Sequence, residues 1–402
     1  MNRVVITGIG VVSPIGCTVD GFWSGLVEPR SGIGQISVAP TDRLTARIAA
    51  QVLDFDPSQH FDPKRANLLD RFSQFAVVAA RAAVRDAQLE ITEELALEAA
   101  TIVGNAAGGQ NSVDESYFKL YGQNSPRVHP LTIPRWMVNA AVSQVSMDLG
   151  LKGPTYTIAS ACASGTHAIG QAFHMVRHGQ ARIALAGGTE ACLTVGTIKC
   201  WEALRVLSSD TCRPFSRTRS GLVLGEGAAM LVLETRERAL ARGAPIYAEL
   251  LGFGMSADAV DITAIDPDGA ARAMRAALVD AKTNPEDVNY VNAHGTGTDL
   301  NDRIETTALR KAFGVSADRL AVSSSKAVLG HSLGAAGALE LAATALAIRR
   351  QTIPPTANFE ETDPDCNLDF VPNVARDAPI QSAMSSSFAF GGLNAVLVLG
   401  RA

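Results

Sequence analysis

Apolar residues gather into short, almost unbroken runs separated by stretches with a helical period. Val4-Val5-Ile6-Thr7, Ala100-Thr101-Ile102-Val103-Gly104, Ile183-Ala184-Leu185-Ala186-Gly187-Gly188 and Ala228-Ala229-Met230-Leu231-Val232-Leu233 read as buried strands. Residues 70–87 read as a buried, Ala-rich helix, and Met137 to Leu149 as another. Thr155-Tyr156-Thr157-Ile158 leans to β structure. After it, Ala168, Ile169, Ala172, Phe173 and Val176 recur at helical spacing until Gly179. Strands alternating with helices predict an α/β fold whose sheets are covered on both faces. Gly8-Ile9-Gly10-Val11-Val12-Ser13 has part of a dinucleotide fingerprint but lacks its third glycine and its acidic residue, so a plain strand and turn is expected. Residues 111–134 are polar without clear period and read as an irregular excursion from the sheet.

The pattern repeats at a separation of about 166 residues: Gly225 to Leu233 is answered by Gly391 to Leu399. In the same register the segment around Cys162 falls opposite Val322-Ser323-Ser324-Ser325-Lys326-Ala327-Val328-Leu329-Gly330-His331. Two echoes in one register predict two similar halves, 1–240 and 241–402, joined near Arg236 to Ala244.

Composition narrows the function classes. A chain of 402 residues with 47% hydrophobic and 19% charged residues has material for large cores and is not disordered. A net charge of -5 offers no basic footprint for nucleic acid. No apolar stretch reaches the roughly 18–20 residues that span a bilayer, and Met1 to Thr7 runs into a strand without the plan of a signal peptide. Six cysteines without a CxxC pair suggest reduced thiols in a cytoplasm. Cys192, Cys200 and Cys212 could be drawn as metal ligands, but no metal site is expected.

One of those cysteines has a special setting. Ala159-Ser160-Ala161-Cys162-Ala163-Ser164-Gly165 puts a thiol on a small-residue turn between a strand and a helix, where free N–H groups and the macrodipole favour a thiolate. Two histidines also stand apart. His294, in Asn292-Ala293-His294-Gly295-Thr296-Gly297-Thr298, lies just past a strand end, and His331 opens a Gly/Ala-rich helix. His167 is expected to pack beneath the nucleophile. One thiol and two neutral imidazoles suit acyl transfer, the thiol being acylated and the imidazoles polarising a carbonyl oxygen. A Cys–His protease would leave the second histidine unused.

The motifs around Cys162, His294 and Lys326 to His331, with Phe388-Ala389-Phe390-Gly391-Gly392, stand in the order seen in β-ketoacyl-[acyl carrier protein] synthases. The chain resembles the elongating type-II class over essentially its whole length. The resemblance implies a thiolase-type fold, with duplicated halves in a five-layered α/β/α/β/α sandwich, usually a homodimer. It implies a decarboxylating Claisen condensation in which Cys162 takes an acyl chain from acyl carrier protein and His294 and His331 stabilise the enolate from malonyl-carrier. Backbone N–H groups of Cys162 and Phe390 would form the oxyanion hole, and Phe390 would gate the thiol. Lys326 would hold the histidines, paired with Glu305. Thr296 and Thr298 would contact the phosphopantetheine arm, which arrives on the carrier, so no resident cofactor is implied.

Several positions depart from the family pattern. Ala389 replaces a gate-loop glycine, Ser216 and Ser220 stand where aspartate is usual, and Asp299 replaces a proline. Ala107 falls where a bulky residue usually floors the acyl pocket, which would deepen it for long chains, whereas Trp201 in place of phenylalanine would shorten or bend it. Lys64 and Arg205 match carrier-docking positions, with Leu68 and Leu69 where basic residues are common. This suits a specialised carrier, as in synthases of nodulation-signal or very-long-chain acyl groups. A thiolase acting on CoA thioesters would need a second cysteine in the C-terminal Gly-rich loop, and a chain-length-factor-type scaffolding subunit would lack Cys162. Neither fits.

Overall fold

The computed structural model describes residues 1–402. Ten strands form one mixed sheet: β1 (Val4–Val12), β2 (Ala99–Gly104), β3 (Thr155–Ile158), β4 (Ile183–Glu190), β5 (Gly227–Thr235), β6 (Ala248–Ala257), β7 (Tyr290–Asn292), β8 (Ala321–Ser323), β9 (Ser382–Ala389) and β10 (Leu393–Gly400). Their spatial order is β8-β7-β9-β10-β6-β1-β5-β4-β2-β3. Outward from the β1–β6 seam, the last five strands therefore repeat the order of the first five. In each half the outer three strands are parallel (β4, β2, β3 and β9, β7, β8), while the pairs nearer the seam are antiparallel. The seam itself is short, pairing Val4–Ile6 with Ala248–Leu250.

Helices complete the layers. α1 (Arg71–Asp86) and α2 (Ala140–Leu149) cover the outside of the first half, and α5 (Pro267–Ala281), with α6 (Asp299–Phe313) packed on it, covers the outside of the second. Between the halves lie α3 (Ser164–Arg177) and α7 (Ala336–Arg350), each touching strands of both. This is the five-layered sandwich of duplicated halves. α4 spans Val195–Ala203. A middle-layer helix has no solvent face, and every residue of α7 from Ala336 to Ile348 is buried. Glu340 is the only charged side chain in that stretch.

The Gly8-Ile9-Gly10 segment is not a turn: β1 runs through it to Val12. The glycines let α1 lie on the strand, since a Cβ at Gly8 would stand 2.2 Å from the Ala83 carbonyl oxygen and one at Gly10 2.0 Å from that of Ala79. The polar excursion is also regular. Gln110–Tyr117 and Thr132–Trp136 are helices, with a wider helical turn at Phe118–Gly122 between them. They bury little beyond Ser112, Ser116 and Thr132, so no apolar period marks them. Asp70 anchors the first of them, accepting the Ser112 N–H at 2.7 Å and capping α1 through the Phe72 N–H.

The internal repeat holds for strands but not for the turns. Thr155 and Ala321 open β3 and β8, and Gly227 and Leu393 open β5 and β10, each pair 166 apart. The 3₁₀ turn Ala161–Ala163, which precedes α3, matches the 3₁₀ turn Leu333–Ala335, which precedes α7, at 172. Ala161 and Leu333 even share a left-handed backbone, φ +48° and +46°. Gly334, not Val328, is thus the counterpart of Cys162. The six extra residues accommodate the short helix Lys326–Leu329 and His331.

Candidate active site

The turn after β3 carries the nucleophile candidate. Its left-handed Ala161 costs on the order of 1 kcal/mol, and Ser164 braces it: Ser164 Oγ accepts the Ser160 N–H at 2.9 Å and donates to the Ala161 carbonyl at 2.7 Å. Cys162 is thereby set into the wall of a mainly apolar cavity of about 290 Å³ while remaining only 6% exposed. Burial outweighs the helix end, and the thiol is pushed up to about 12 rather than down. Burial thus favours the thiol over the thiolate that the helix end alone would select.

His331 stands within reach of the thiol. Its Nε2 lies 3.1 Å from Cys162 Sγ, and its backbone is pinned by donation to the Val223 carbonyl at 2.7 Å and acceptance from the Gly225 N–H at 2.9 Å. Its Nδ1 is buried with no partner. The ring of His294 stands edge-to-face with that of His331, centroids 5.3 Å apart. Burial, with the Lys326 charge adding to it, holds both imidazoles well below the ordinary histidine range, so both are neutral.

Lys326 fixes His294. Its Nζ donates to the His294 carbonyl at 2.6 Å and sits 3.4 Å from His294 Nδ1. An ammonium can only donate, so Nδ1 presents a lone pair and the proton sits on Nε2. The partner of Lys326 is Glu340 on α7, not Glu305. Both oxygens of Glu305, on α6, are taken by the backbone N–H groups of His294 and Gly295, each at 2.7 Å. Burial raises that carboxyl to about 8. Glu305 thus holds the main chain of His294, and Lys326 holds its ring.

Thr296 and Thr298 line the same cavity, their hydroxyls 2.9 Å apart, as do Trp201 and Phe390. Trp201, in the last turn of α4, stacks on Phe390 with ring centroids 5.8 Å apart and planes 25° apart. Ala389 ends β9 in register with Leu393, an extended conformation open to any residue; the left-handed demand falls on Gly391 and Gly392, φ +83° and +68°. Ala107 is not among the lining residues. Its loop is drawn inward by Glu190, and its side chain packs on the core cluster containing Cys162. Lys64 and Arg205 are exposed, the latter beside cavity-lining Leu204 and Val206. Leu68 is at the surface, but Leu69 is 2% exposed and cannot meet a partner. His167 lies on α3 below the turn, its Nδ1 2.9 Å from Ser160 Oγ. Ser216 Oγ accepts the Glu360 and Glu361 N–H groups, while Asp299 pairs with Arg219 and Arg303. Cys366 is buried in the second half's outer core, away from the cavity. Sequence reasoning missed Glu340 and Glu190; each is a lone acid in an otherwise buried apolar run.

A thiol 3.1 Å from one imidazole, with a second imidazole in the wall of the same cavity where duplicated halves of an α/β sandwich meet, is the arrangement of a thiolase-fold enzyme of acyl transfer. Residues 1–239 match the family model for the β-ketoacyl synthase N-terminal domain, and residues 247–360 that for its C-terminal domain. The chain is 47% identical to nodulation protein E of Rhizobium sp. (strain N33), over 98% of each chain. It is 44% identical to 3-oxoacyl-[acyl-carrier-protein] synthase 2 of Staphylococcus aureus (strain COL), over 99% of this chain and 98% of that one. The structure of the ishigamide ketosynthase/chain length factor superposes with a TM-score of 0.95 at 38% identity, covering 100% of this chain and 99% of that one. That of a β-ketoacyl synthase from Burkholderia phymatum STM815 does so at 0.92 and 35%, covering both chains fully. The chain belongs to the β-ketoacyl synthase family, and its reaction class is the carbon–carbon bond-forming condensation of acyl units.

Proposed function

We propose that the chain elongates an acyl group held as a thioester on Cys162 with two carbons from malonyl-[acyl carrier protein]. The observation that carries this reading is the Cys162–His331–His294 cluster in the wall of one apolar cavity. In the first half-reaction Cys162 Sγ attacks the carrier thioester carbonyl. Its proton passes to His331 Nε2 and on to the departing pantetheine sulfur, with backbone N–H groups of Cys162 and Phe390 as the oxyanion hole. In the second, the malonyl carboxylate leaves as carbon dioxide. The enolate oxygen is held by His294 Nε2–H and His331 Nε2–H, and the enolate carbon attacks the Cys162 thioester. One proton is consumed, and the cysteine thiol is regenerated. The unpartnered His331 Nδ1 leaves its tautomer unpinned, so Nε2 can accept in the first step and donate in the second.

The roles of the surrounding residues follow. Thr296 and Thr298 would receive the phosphopantetheine arm, Trp201 and Phe390 would close over the thiol, and Lys64 and Arg205 would meet an acidic carrier protein. That carrier brings the only prosthetic group the chemistry needs. A similar ketosynthase has been solved with its acyl-carrier protein bound, at 33% identity and a TM-score of 0.90. A cytoplasmic homodimer is supported by six free thiols, by the open edge of β3 with exposed Tyr156, and by exposed Tyr117, Phe118, Tyr121 and Ile133 on the 110–138 excursion. A dedicated lipid product and general fatty-acid elongation are the two arms of the test, since nodulation protein E and 3-oxoacyl-[acyl-carrier-protein] synthase 2 are similar to the chain at 47% and 44% identity.

The test is to incubate the protein with acyl-carrier proteins of increasing chain length and follow Cys162 acylation by intact mass. Long-chain preference would support a deep acyl pocket and specialised lipid synthesis, and medium-chain preference an ordinary elongating synthase. No acylation by any donor would reject the proposal and favour a scaffolding subunit.

A further inference from the structure

Glu190, the last residue of β4, is wholly buried, and four donors converge on it. Its Oε2 accepts the Ala106 N–H at 2.9 Å and the Gly334 N–H at 3.1 Å. Its Oε1 accepts Asn105 Nδ2 at 3.1 Å and the Ala107 N–H at 3.4 Å. Successive backbone N–H groups aimed at one point make an anion nest. Here the anion is part of the chain.

The nest's place in the duplicated fold is informative. Gly334 occupies in the second half the position that Cys162 occupies in the first, each the middle residue of a 3₁₀ turn that starts left-handed and feeds a middle-layer helix. In the mechanism proposed above, the backbone N–H at that position in the first half faces the reacting carbonyl. In the second it faces Glu190. There is no room for a side chain at Gly334: a Cβ would lie 2.5 Å from Ala106 N and 2.8 Å from Glu190 Oε2.

We propose that Glu190 is a positioning residue, an internal carboxylate that occupies the second half's counterpart of the oxyanion site and thereby aims His331 at Cys162. By holding the Gly334 N–H it fixes the turn three residues beyond His331 and the start of α7, which carries Glu340, the anchor of Lys326. By holding Asn105, Ala106 and Ala107 it ties that turn to the end of β2, whose Gly104 abuts the nucleophile turn: a Cβ there would lie 2.3 Å from the Ser164 carbonyl carbon. Glu190 therefore joins the element that carries the nucleophile to the element that aims the base. Burial raises its carboxyl to about 7, the nest's donors offsetting part of that shift.

This inference rests on the condensing activity proposed above, so wild-type condensation is the control in its test. Glu190→Gly vacates the nest and leaves space for formate. Full-length Glu190→Gly and Glu190→Gln would be assayed for kcat and KM over a range of acyl- and malonyl-carrier protein concentrations, in sodium formate or sodium chloride of equal strength. The expected result for Glu190→Gly is a fall in kcat of about tenfold or more with KM little changed. Formate, but not chloride, should restore most of it. Glu190→Gln, whose amide N–H₂ meets N–H donors and blocks formate, should fall similarly without rescue. A folded Glu190→Gly with wild-type kcat, or with a loss formate does not restore, would overturn the inference. Should Glu190→Gly not fold, unchanged kcat in Glu190→Gln would overturn it. If neither variant folds, Glu190 serves folding alone and the inference fails. An inactive wild type would reject the condensing function instead.

Discussion

Lys326 and Glu340 are 1% and 2% exposed, so the two charges are buried together, and removing either strands the other. Breaking such a pair from one side costs about 3–5 kcal/mol, while replacing both partners with apolar residues of similar volume is close to neutral. Glu340→Leu should fall at the upper end, because the stranded ammonium also lies against neutral His294. Lys326→Met should fall at the lower end, because burial already raises the Glu340 carboxyl and a proton can neutralise it. Lys326→Met/Glu340→Leu should recover to within about 1 kcal/mol of wild type, a coupling of several kcal/mol. Urea unfolding followed by circular dichroism reads all four proteins. Activity should not return with stability. The double variant leaves His294 Nδ1 without its donor, so Nε2 no longer holds the proton reliably, and kcat should fall about 100-fold or more, the cost of losing one oxyanion donor. Single variants as stable as the double would refute the buried pair. A double variant with wild-type kcat would refute the tautomer argument.

Cys162 alkylation by iodoacetamide should keep rising past pH 9, because the thiol titrates near about 12 and an ordinary thiol levels off near about 9; a plateau below pH 8 would mean a thiolate–imidazolium pair. Trp201→Ala removes a stacked partner of Phe390 worth about 0.5–1.5 kcal/mol and widens the cavity, so long acyl donors should load Cys162 faster relative to short ones in an intact-mass time course. Lys64→Glu and Arg205→Glu should slow acylation from carrier protein, more at low salt, while sparing small thioesters; equal loss on both donors would count against docking. Gly8→Ala should destabilise by about 1–3 kcal/mol through its clash with the Ala83 carbonyl, read as a lower urea midpoint.

The strands and the candidate Cys162, His294 and His331 were legible because each has a local signature: unbroken apolar runs for β4 and β5, a small-residue turn for Cys162, a strand end for His294. What stayed hidden depends on partners far away in sequence. Glycines inside β1 resemble a turn until α1 is laid on them, and the 110–136 helices bury too little to show a period. The thiol's charge state could not be read from its helix end, because burial depends on α7 and the second half. Lys326 stands beside two acids in the fold, and only three-dimensional geometry shows that Glu305 is engaged by backbone and Glu340 is free to pair.

The six residues by which the second half departs from the first carry a consequence of their own. A strictly symmetric molecule would carry the same residue at Cys162 and at its counterpart Gly334 and would lack the extra chain that holds His331. The lengthened second copy has glycine at the counterpart of the thiol position, and its extra chain brings His331 across the midline to Cys162 while Lys326 stays in its own half on His294 and Glu340, so that one chamber gathers the equipment of both. Substitutions in one copy can then retune the acid–base machinery while the other keeps the nucleophile unchanged.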